Sequence, residues 1–561
     1  MLDLKIRIST LRNKLPSLSF NIFTLLLACW LGLILNINFY EKIQLLTPYT
    51  GIKAQLLLIA VICIVIAFYY LVLQLITWKW TAKAVAIILI IIGGFSSYFV
   101  NSFGIIINSD QIQNMMQTDT KEVRDLLSVQ YLFWVLFFIV LPIFVILLIQ
   151  IKPESFLTLI WKKLFAMSFS FIAIFALVLS FYIDLASIFR EHRDLKGMIS
   201  PQNVIASSFS YYRKQMPKEN LPLILYGEDA EHIQKPNQQQ EKPKLMVLVV
   251  GETARAESFS LNGYSKNTNP RLSKENIINF SQVSSCGTAT AVSVPCMFSG
   301  MGHDDYDVQL ASHREGLLDI VQRAGYKVTW IDNNSGCKGA CDRIENYKIP
   351  QKIRDKWCKA DGECLDELLI DALKQYMTEI PKDDLTPRLI VLHQMGSHGP
   401  AYFKRSTKEF QKFKPTCDTN EIQGCSSEKL INTYDNSIIY TDYVLSQMID
   451  VIKDTSKYQT GFWYLSDHGE STGEKGMYLH GAPYAIAPSQ QTHIPMLMWF
   501  SQPWQKNQTE MVSCLSTQKD QILSQDYLFS TLLSVLDVKT KVTNSQFNML
   551  EQCHLANKIE K

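Results

Sequence analysis

Five apolar stretches decide most of what this chain can become. Phe20–Phe39, Ala54–Ile76, Ala84–Ile107, Tyr131–Gln150 and Leu164–Ile183 are each long enough to cross a bilayer, which takes ~20 residues of helix. They have almost no charged face, so they do not read as buried helices of a water-soluble core. In hydrocarbon every backbone N–H and C=O must be satisfied inside the segment, which leaves helices as the only choice for isolated stretches of this length. The first has a basic flank but no small-residue cleavage site after it, and reads as a retained anchor rather than a signal peptide.

Charge orients the spans. Lys5, Arg7, Arg12 and Lys14 precede the first; Lys79 and Lys83 lie between the second and third; Lys152, Lys162 and Lys163 lie between the fourth and fifth. The other connections carry Glu41, Asp110, Asp119, Glu122 and Asp125. Basic residues collect on the cytoplasmic side, so an odd number of crossings delivers everything after residue 184 to the opposite side. Cysteine usage agrees. Of the twelve cysteines, Cys29 and Cys63 lie inside apolar spans and read as packed free thiols, and the other ten follow residue 280. The spacings Cys286/Cys296, Cys337/Cys341, Cys358/Cys364 and Cys417/Cys425 suggest local bridges that leave Cys514 with Cys553, although sequence does not fix connectivity. Cys-x-x-Cys pairs, the usual sign of a cysteine-ligated zinc, are absent from the sequence, so disulfides and an oxidising compartment are expected.

At 561 residues the chain is too long for one ordinary domain. Residues 1–184 form the transmembrane part. Residues 185–244 hold an amphipathic stretch, Ala186–Lys196, suited to the membrane surface, and a polar, proline-flanked linker, Lys235–Lys244. Residues 245–561 read as a compact domain in which strand and helix signals alternate. Strand candidates are Leu245–Val250, Lys327–Ile331, Leu389–Leu392, Gly461–Leu465 and Ile494–Phe500; helical patterns occupy Glu315–Ala324, Leu365–Thr378 and Glu428–Lys453. Continuous apolar strands flanked by helices predict a doubly wound, mostly parallel sheet, with ligands beyond the carboxyl ends of its strands. A net charge of +2 without a long basic run gives no sign of a nucleic-acid partner.

The chemistry gathers at that edge. Glu252, His398, Asp467 and His468 each fall a few residues past a strand candidate. Carboxylate oxygen and imidazole nitrogen are zinc-ligand types. Between Cys286 and Cys296 runs a segment of small and hydroxyl residues with neither a helical nor a strand pattern, read as a pinched loop presenting Thr288. A threonine hydroxyl is a poor nucleophile unless a base or metal activates it, so the expectation is a metal-activated threonine. Zinc held by Glu252, Asp467, His468 and Thr288 would favour the alkoxide. His393, His398, His480 and His493 could supply a second metal position, phosphate contacts or proton transfer. On the connection between the third and fourth spans, Asn114, Thr118 and Glu122 recur every fourth residue and share one helical face; spacing alone reads as a solvated face.

These motifs, taken in order, resemble a family. Val249-Val-Gly-Glu-Thr-Ala-Arg255, Asn262-Gly-Tyr264, Thr268-Asn-Pro270, Cys286-Gly-Thr-Ala-Thr290, Gly396-Ser-His-Gly-Pro400 and Ser466-Asp-His-Gly-Glu-Ser471 are similar to the motif series of lipid A phosphoethanolamine transferases, which include the mobile colistin-resistance enzymes. The resemblance covers nearly the whole chain. It implies five membrane helices joined to a domain of alkaline phosphatase/sulfatase type, on the periplasmic side of a bacterial inner membrane. It implies transfer of phosphoethanolamine from phosphatidylethanolamine to a lipid A phosphate through a phospho-threonine at Thr288, and hence resistance to polymyxins and cationic peptides. Glu252, Thr288, Asp467 and His468 match the zinc ligands; His398 and His480, with His393, match positions for substrate or a second zinc in turnover. Asn114, Thr118 and Glu122 match a pattern that engages the lipid substrate. Phe189-Arg-Glu-His-Arg193 resembles the family's bridging helix, with Glu191 where a non-acidic residue is expected. A monomer is expected.

Rivals on the same fold are weaker. A sulfatase would show Cys-x-Pro-x-Arg or Ser-x-Pro-x-Arg, and neither occurs. A phosphoglycerol transferase would share the fold and a threonine, but the cysteine-bracketed Gly-Thr-Ala-Thr context does not resemble theirs; a phosphoglycerol or phosphoethanolamine transferase acting on another periplasmic glycan is the alternative. A structural or sensory ectodomain has no need of an activated nucleophile.

Overall fold

The computed structural model describes residues 17–553 apart from 48, 119, 215–220, 234–240, 360–361 and 454. Lys5, Arg7, Arg12, Lys14, Asp119 and residues 235–240 of the expected linker therefore lie outside the described residues. The chain divides into two compact units, one of residues 1–112 and 127–210, the other of residues 113–126 and 211–561.

Among the described residues the first unit holds five helices long and apolar enough to cross a membrane: Phe20–Leu46, Ile52–Ile76, Ala82–Phe103, Val129–Leu148 and Phe156–Ser180. The first runs past the expected Phe39, through a 3-10 turn at Ile34–Asn36. The third stops short of Ile107 because Gly104, in a left-handed conformation, closes it. The fifth starts at Phe156 rather than Leu164, since the Ser155 side chain caps its first turn by accepting from Thr158 N. Large apolar side chains such as Phe165 and Phe169 face outward, as lipid contact demands. Cys63 is also on an outward face, so it is not the packed thiol expected; Cys29 is half-buried. Asn36 fastens the fold from within: its amide donates to the Leu31 and Ser200 carbonyls and accepts from Ser200 N. The expected surface stretch is a helix at Tyr182–Glu191 followed by a 3-10 segment at Arg193–Met198.

The second unit is built on an eight-stranded sheet. Its strands are β1 (Lys244–Gly251), β2 (Ile277–Ser284), β3 (Lys327–Asp332), β4 (Glu345–Asn346), β5 (Arg388–His393), β6 (Gln459–Ser466), β7 (His493–Phe500) and β8 (Ile522–Ser524). The order is β8-β2-β7-β6-β1-β5-β3-β4. All neighbours are parallel except β7, which runs against both β2 and β6. β1 is buried at every position and begins at Lys244, whose ammonium is neutralised inside by Asp537 and the Val535 carbonyl, at 2.6 Å each. Continuous apolar runs made the central strands readable. β2 is buried only at Phe280 and Val283 and pairs with β8 at the edge.

Around the sheet lie α1 (Ser109–Gln117), α2 (Thr120–Asp125), α3 (Thr290–Ser299), α4 (Leu317–Arg323), α5 (Glu367–Glu379) and α6 (Ser427–Lys453). Five disulfides join Cys286–Cys296, Cys337–Cys341, Cys358–Cys364, Cys417–Cys425 and Cys514–Cys553. The Cys286–Cys296 segment corrects one expectation. It is a loop only as far as Ala289; from Thr290 it is α3, with Pro295 inside the helix and Gly300 closing it.

At the start of α5, burial pushes the Glu367 carboxyl up from 4.5 to about 7, and the Tyr440 hydroxyl donates to it. Between those values the folded chain holds a proton that the unfolded chain has released, so this site loses stability as pH rises through that window. Glu367→Gln is expected to raise the melting temperature at pH 8, with the gain shrinking as pH falls toward 4.5. A melting-temperature difference that does not vary with pH would refute this.

Candidate metal centre and active site

Register brings the site together. Gly251 pairs with Ser466, Val250 with His393, and Asp332 with His393, so β1, β6, β5 and β3 end at one edge. Glu252, Asp467 and Gln394 are the next residues along. The turn after β5 must pass hard against β1: a Cβ on Gly396, whose φ is +55°, would lie 2.4 Å from the Glu252 carbonyl oxygen. Glycine at this place lets Ser397 N donate to that same carbonyl, which fixes His398 beside Glu252.

The Asp467 carboxylate has two distinct oxygens. Oδ1 accepts from Thr253 N at 3.2 Å and His468 N at 2.7 Å. Oδ2 is buried and has no hydrogen-bond partner. His468 Nδ1 lies 2.8 Å from the Gly469 carbonyl, which can only accept, so the ring proton is on Nδ1 and the Nε2 lone pair faces inward. Nε2 stands 3.3 Å from Asp467 Oδ2 and 3.4 Å from Glu252 Oε1. Three fully buried ligand-type atoms thus converge within 4.8 Å. A divalent cation is the group that reconciles such a set, and two carboxylates with an imidazole fit it. Burial, with Asp467 and Glu122 nearby, raises the Glu252 carboxyl well above its usual range. Asn334 orients it, donating to Glu252 Oε2 at 2.7 Å and to the Gln394 carbonyl at 2.8 Å.

Thr290, not Thr288, meets these groups. Thr290 Oγ1 lies 3.1 Å and 3.3 Å from the two Glu252 oxygens and 3.3 Å from His468 Nε2. It is the first residue of α3, where unpaired backbone N–H groups and the helix dipole favour an anion. Thr288 is committed elsewhere: its hydroxyl donates to the Ala482 carbonyl at 2.6 Å, and its own carbonyl accepts from Gly481 N at 2.7 Å. It pins the turn that carries His480. Gln525 locks α3 to the Asp467 turn, accepting from Cys286 N and Ser293 Oγ and donating to the Ser466 and Asp467 carbonyls, each at 2.7 Å.

His398 and His480 form a second cluster, with ring centroids 5.3 Å apart; His480 lies 4.5 Å from His468. Glu122 Oε1 stands 3.9 Å from His398 Nε2. Their environments differ. Burial, then His480 and Arg405, hold His398 well below the ordinary imidazole range. Burial also opposes charge on His480, but Glu470, 3.1 Å from its Nδ1, outweighs this and raises it. Glu470 is in turn fixed by the Tyr402 hydroxyl at 2.7 Å. His393 does not join them in any described contact. Buried in β5, it pairs with Asp332 at 2.9 Å and packs on Trp330. His493 Nε2 donates to the Ser281 carbonyl, 2.8 Å away. Asn114, Thr118 and Glu122 do not share one continuous helix, because α1 ends at Gln117 and α2 begins at Thr120. Thr118 lies between them, its hydroxyl donating to the Asn114 carbonyl at 2.7 Å.

Sequence reasoning missed Thr290, Asn334, Glu470 and Gln525. Thr290 left little local signal, since the small and β-branched residues after it, with Pro295 among them, mark a helix start only weakly. The others are brought in by tertiary contacts alone.

The comparisons with known proteins cover both units. The sulfatase family profile matches residues 244–538, and a profile described as phosphoethanolamine transferase EptA/EptB matches residues 64–216. The chain is 42% identical to the phosphoethanolamine transferase EptA of Escherichia coli K12 over 546 residues, covering 96% of this chain and 98% of that one. It is 36% identical to the phosphatidylethanolamine transferase Mcr-1 of Escherichia coli, with 90% and 92% covered. The solved structure of the integral membrane lipooligosaccharide phosphoethanolamine transferase A of Neisseria meningitidis superposes with a TM-score of 0.89 at 35% identity, covering 96% of this chain and 99% of that one.

Proposed function

The chain belongs to the EptA family of phosphoethanolamine transferases, and on that premise we propose that it moves phosphoethanolamine from phosphatidylethanolamine to a phosphate of lipid A, with Thr290 as the nucleophile. The observation that carries this reading is the Thr290 hydroxyl at the head of α3, against Glu252 and His468. The names of the relatives support the group transferred.

Glu252, Asp467, His468 and Thr290 would hold zinc, which when bound supplies a Lewis acid that favours threonine alkoxide over hydroxyl. In the first half-reaction Thr290 Oγ forms a bond to the donor's phosphorus, and the bond from phosphorus to the diacylglycerol oxygen breaks. The hydroxyl's proton leaves along its hydrogen bond to Glu252. His480, whose imidazole Glu470 draws toward its charged form, is placed to supply a proton to the departing diacylglycerol oxygen. A pair of histidines whose environments pull their proton affinities apart divides acid from base in this way. In the second half-reaction a protonated lipid A phosphate gives its proton to His480 as its oxygen attacks the phospho-threonine, the bond from phosphorus to Oγ breaks, and Thr290 regains its proton from Glu252. The N-terminus of α3 stabilises the phosphoryl charge in both. His398 and His480 stand where the transferred group or a second zinc would be met, and Glu122 closes that side.

The reaction lies at the periplasmic face of a bacterial inner membrane, where donor and acceptor are both anchored, and the monomer suffices because every named group is in one chain. An ethanolamine ammonium beside a lipid phosphate lowers surface negative charge, so polymyxins bind less. Mass spectrometry of lipid A from cells expressing the protein tests this. Added phosphoethanolamine with raised polymyxin resistance is expected. Unmodified lipid A with folded enzyme in the membrane would exclude lipid A and turn the search to other periplasmic glycans.

Asn334 has its own expected effect. Removing the donor that orients a metal-binding carboxylate typically weakens metal affinity about 10–100-fold. Asn334→Ala should therefore lose zinc to a competing chelator at correspondingly lower concentration, and an unchanged competition curve would remove it from that role.

A further inference from the structure

The polypeptide between the third and fourth membrane helices is long for a connection, and residues 113–126 of it belong to the catalytic unit. Specific side chains attach it. Gln113 Nε2 donates to the carbonyl of Ala291 in α3, and Lys338 Nζ donates to the Gln117 carbonyl, both at 3.0 Å. One turn of α2 then carries both Glu122 and Asp125. Glu122 faces His398. Asp125 is only 1% exposed, and two cations share its carboxylate: Lys404 Nζ at Oδ1, 2.5 Å, and Arg405 Nη2 at Oδ2, 2.8 Å. Asn420 Nδ2 donates to the Asp125 carbonyl at 2.8 Å.

Arg405 ties this ion pair to the chemistry. While one guanidinium nitrogen holds Asp125, its Nε donates to the His398 carbonyl at 2.8 Å. The carriers of Glu122 and His398 come from distant parts of the sequence, yet both are fixed to the same planar, rigid group. Glu363 completes the cluster, 3.8 Å from Lys404 and 3.6 Å from Arg405.

We propose that Asp125 is a positioning residue for the transfer reaction: through Arg405 it clamps α2 to the His398 turn and so sets the separation of Glu122 from His398. A buried, fully paired ion cluster contributes little net stability compared with an apolar replacement, because desolvation offsets much of the attraction. What it supplies here is a fixed distance between two groups that no covalent or sheet contact relates. A carboxylate and an imidazole at that distance can act on one bound group only while the clamp holds, and misplacement by about 1 Å can cost as much as a hundredfold in rate. The inference rests on the transferase reading for its catalytic consequence, but not for the clamp itself.

The test uses the full-length enzyme in phosphatidylethanolamine-containing membranes, comparing wild type with Asp125→Asn, Glu122→Gln and the double variant. Asp125→Asn should lower kcat about tenfold or more, and the double variant should be no slower than Glu122→Gln alone, because residues acting through one another are not additive. Backbone hydrogen exchange should rise in residues 113–126 and stay unchanged in β1. Wild-type rates for folded Asp125→Asn, or losses that simply multiply in the double variant, would overturn the proposal. If Asp125→Asn does not fold, Arg405→Lys, which keeps the charge and loses the planar fork, is read in the same assays. If the wild type transfers no phosphoethanolamine, the failure is that of the functional reading; the exchange measurement still decides the clamp, and unchanged protection in 113–126 refutes it.

Discussion

Thr290→Ala should abolish transfer, lowering kcat by about a thousandfold or more, as loss of a covalent nucleophile does. Thr288→Ala should cost about tenfold at most, through displacement of the His480 turn. The two residues are chemically identical and two positions apart, so the contrast isolates placement. Only Thr290 has its hydroxyl within hydrogen-bonding distance of Glu252 and His468. Only Thr290 lies at the N-terminus of a ten-residue helix, where a phosphoryl group's charge is stabilised. The Thr288 hydroxyl would have to abandon the Ala482 carbonyl to act, and the same residue's backbone holds Gly481. Intact-protein mass spectrometry of donor-treated enzyme is the direct readout: a phosphoethanolamine adduct on wild type and on Thr288→Ala, and none on Thr290→Ala. An adduct that survives Thr290→Ala and disappears with Thr288→Ala would reverse the assignment.

That contrast also marks what a sequence can and cannot convey here. The spans were legible because a bilayer permits few structures and demands long apolar runs. The central strands were legible because a sheet covered on both faces is apolar at every position, as in β1 and β6. Glu252, Asp467 and His468 were legible because strand ends in such a sheet converge on one edge. The sequence pointed to Thr288 where Thr290 meets Glu252 and His468, because which threonine reaches them depends on where α3 begins, and a stretch of small and β-branched residues with a proline gives little helical signal. β8 was missed because it is a three-residue edge strand, and β2, one strand in, because it is buried only at Phe280 and Val283 and so is not continuously apolar. Asn334, Glu470 and Gln525 act by long-range contacts to backbone and carboxylate groups, and no local pattern marks them. The face of Asn114, Thr118 and Glu122 was inferred from one helix where the chain makes two. Glu122 nonetheless reaches His398, because α2 is fixed by Asp125 rather than by continuity with α1.

Removing the metal should have the other large effect, and its sign can be worked out from the acceptor geometry. In the absence of a cation His468 Nε2 faces Asp467 Oδ2 at 3.3 Å and Glu252 Oε1 at 3.4 Å, and burial with Asp467 nearby pushes the Glu252 carboxyl toward its neutral form. Chelation should therefore stop transfer, zinc should restore it, and the melting temperature should fall on chelation. Binding to the folded state alone is worth about 4 kcal/mol when free metal exceeds Kd a thousandfold. Asp467→Asn separates the two consequences. If the new amide keeps its oxygen toward Thr253 N and His468 N, the NH₂ replaces Oδ2 and can donate to His468 Nε2. The variant should thus be inactive, and its melting temperature should be insensitive to chelator. It should also be more stable than chelated wild type, because a hydrogen bond takes the place of a repulsion between buried acceptors. A mainly structural role for Asp467 predicts the opposite order, with the variant less stable than chelated wild type. Thermal melts of both proteins with and without chelator, followed by zinc titration, distinguish the two without reference to activity.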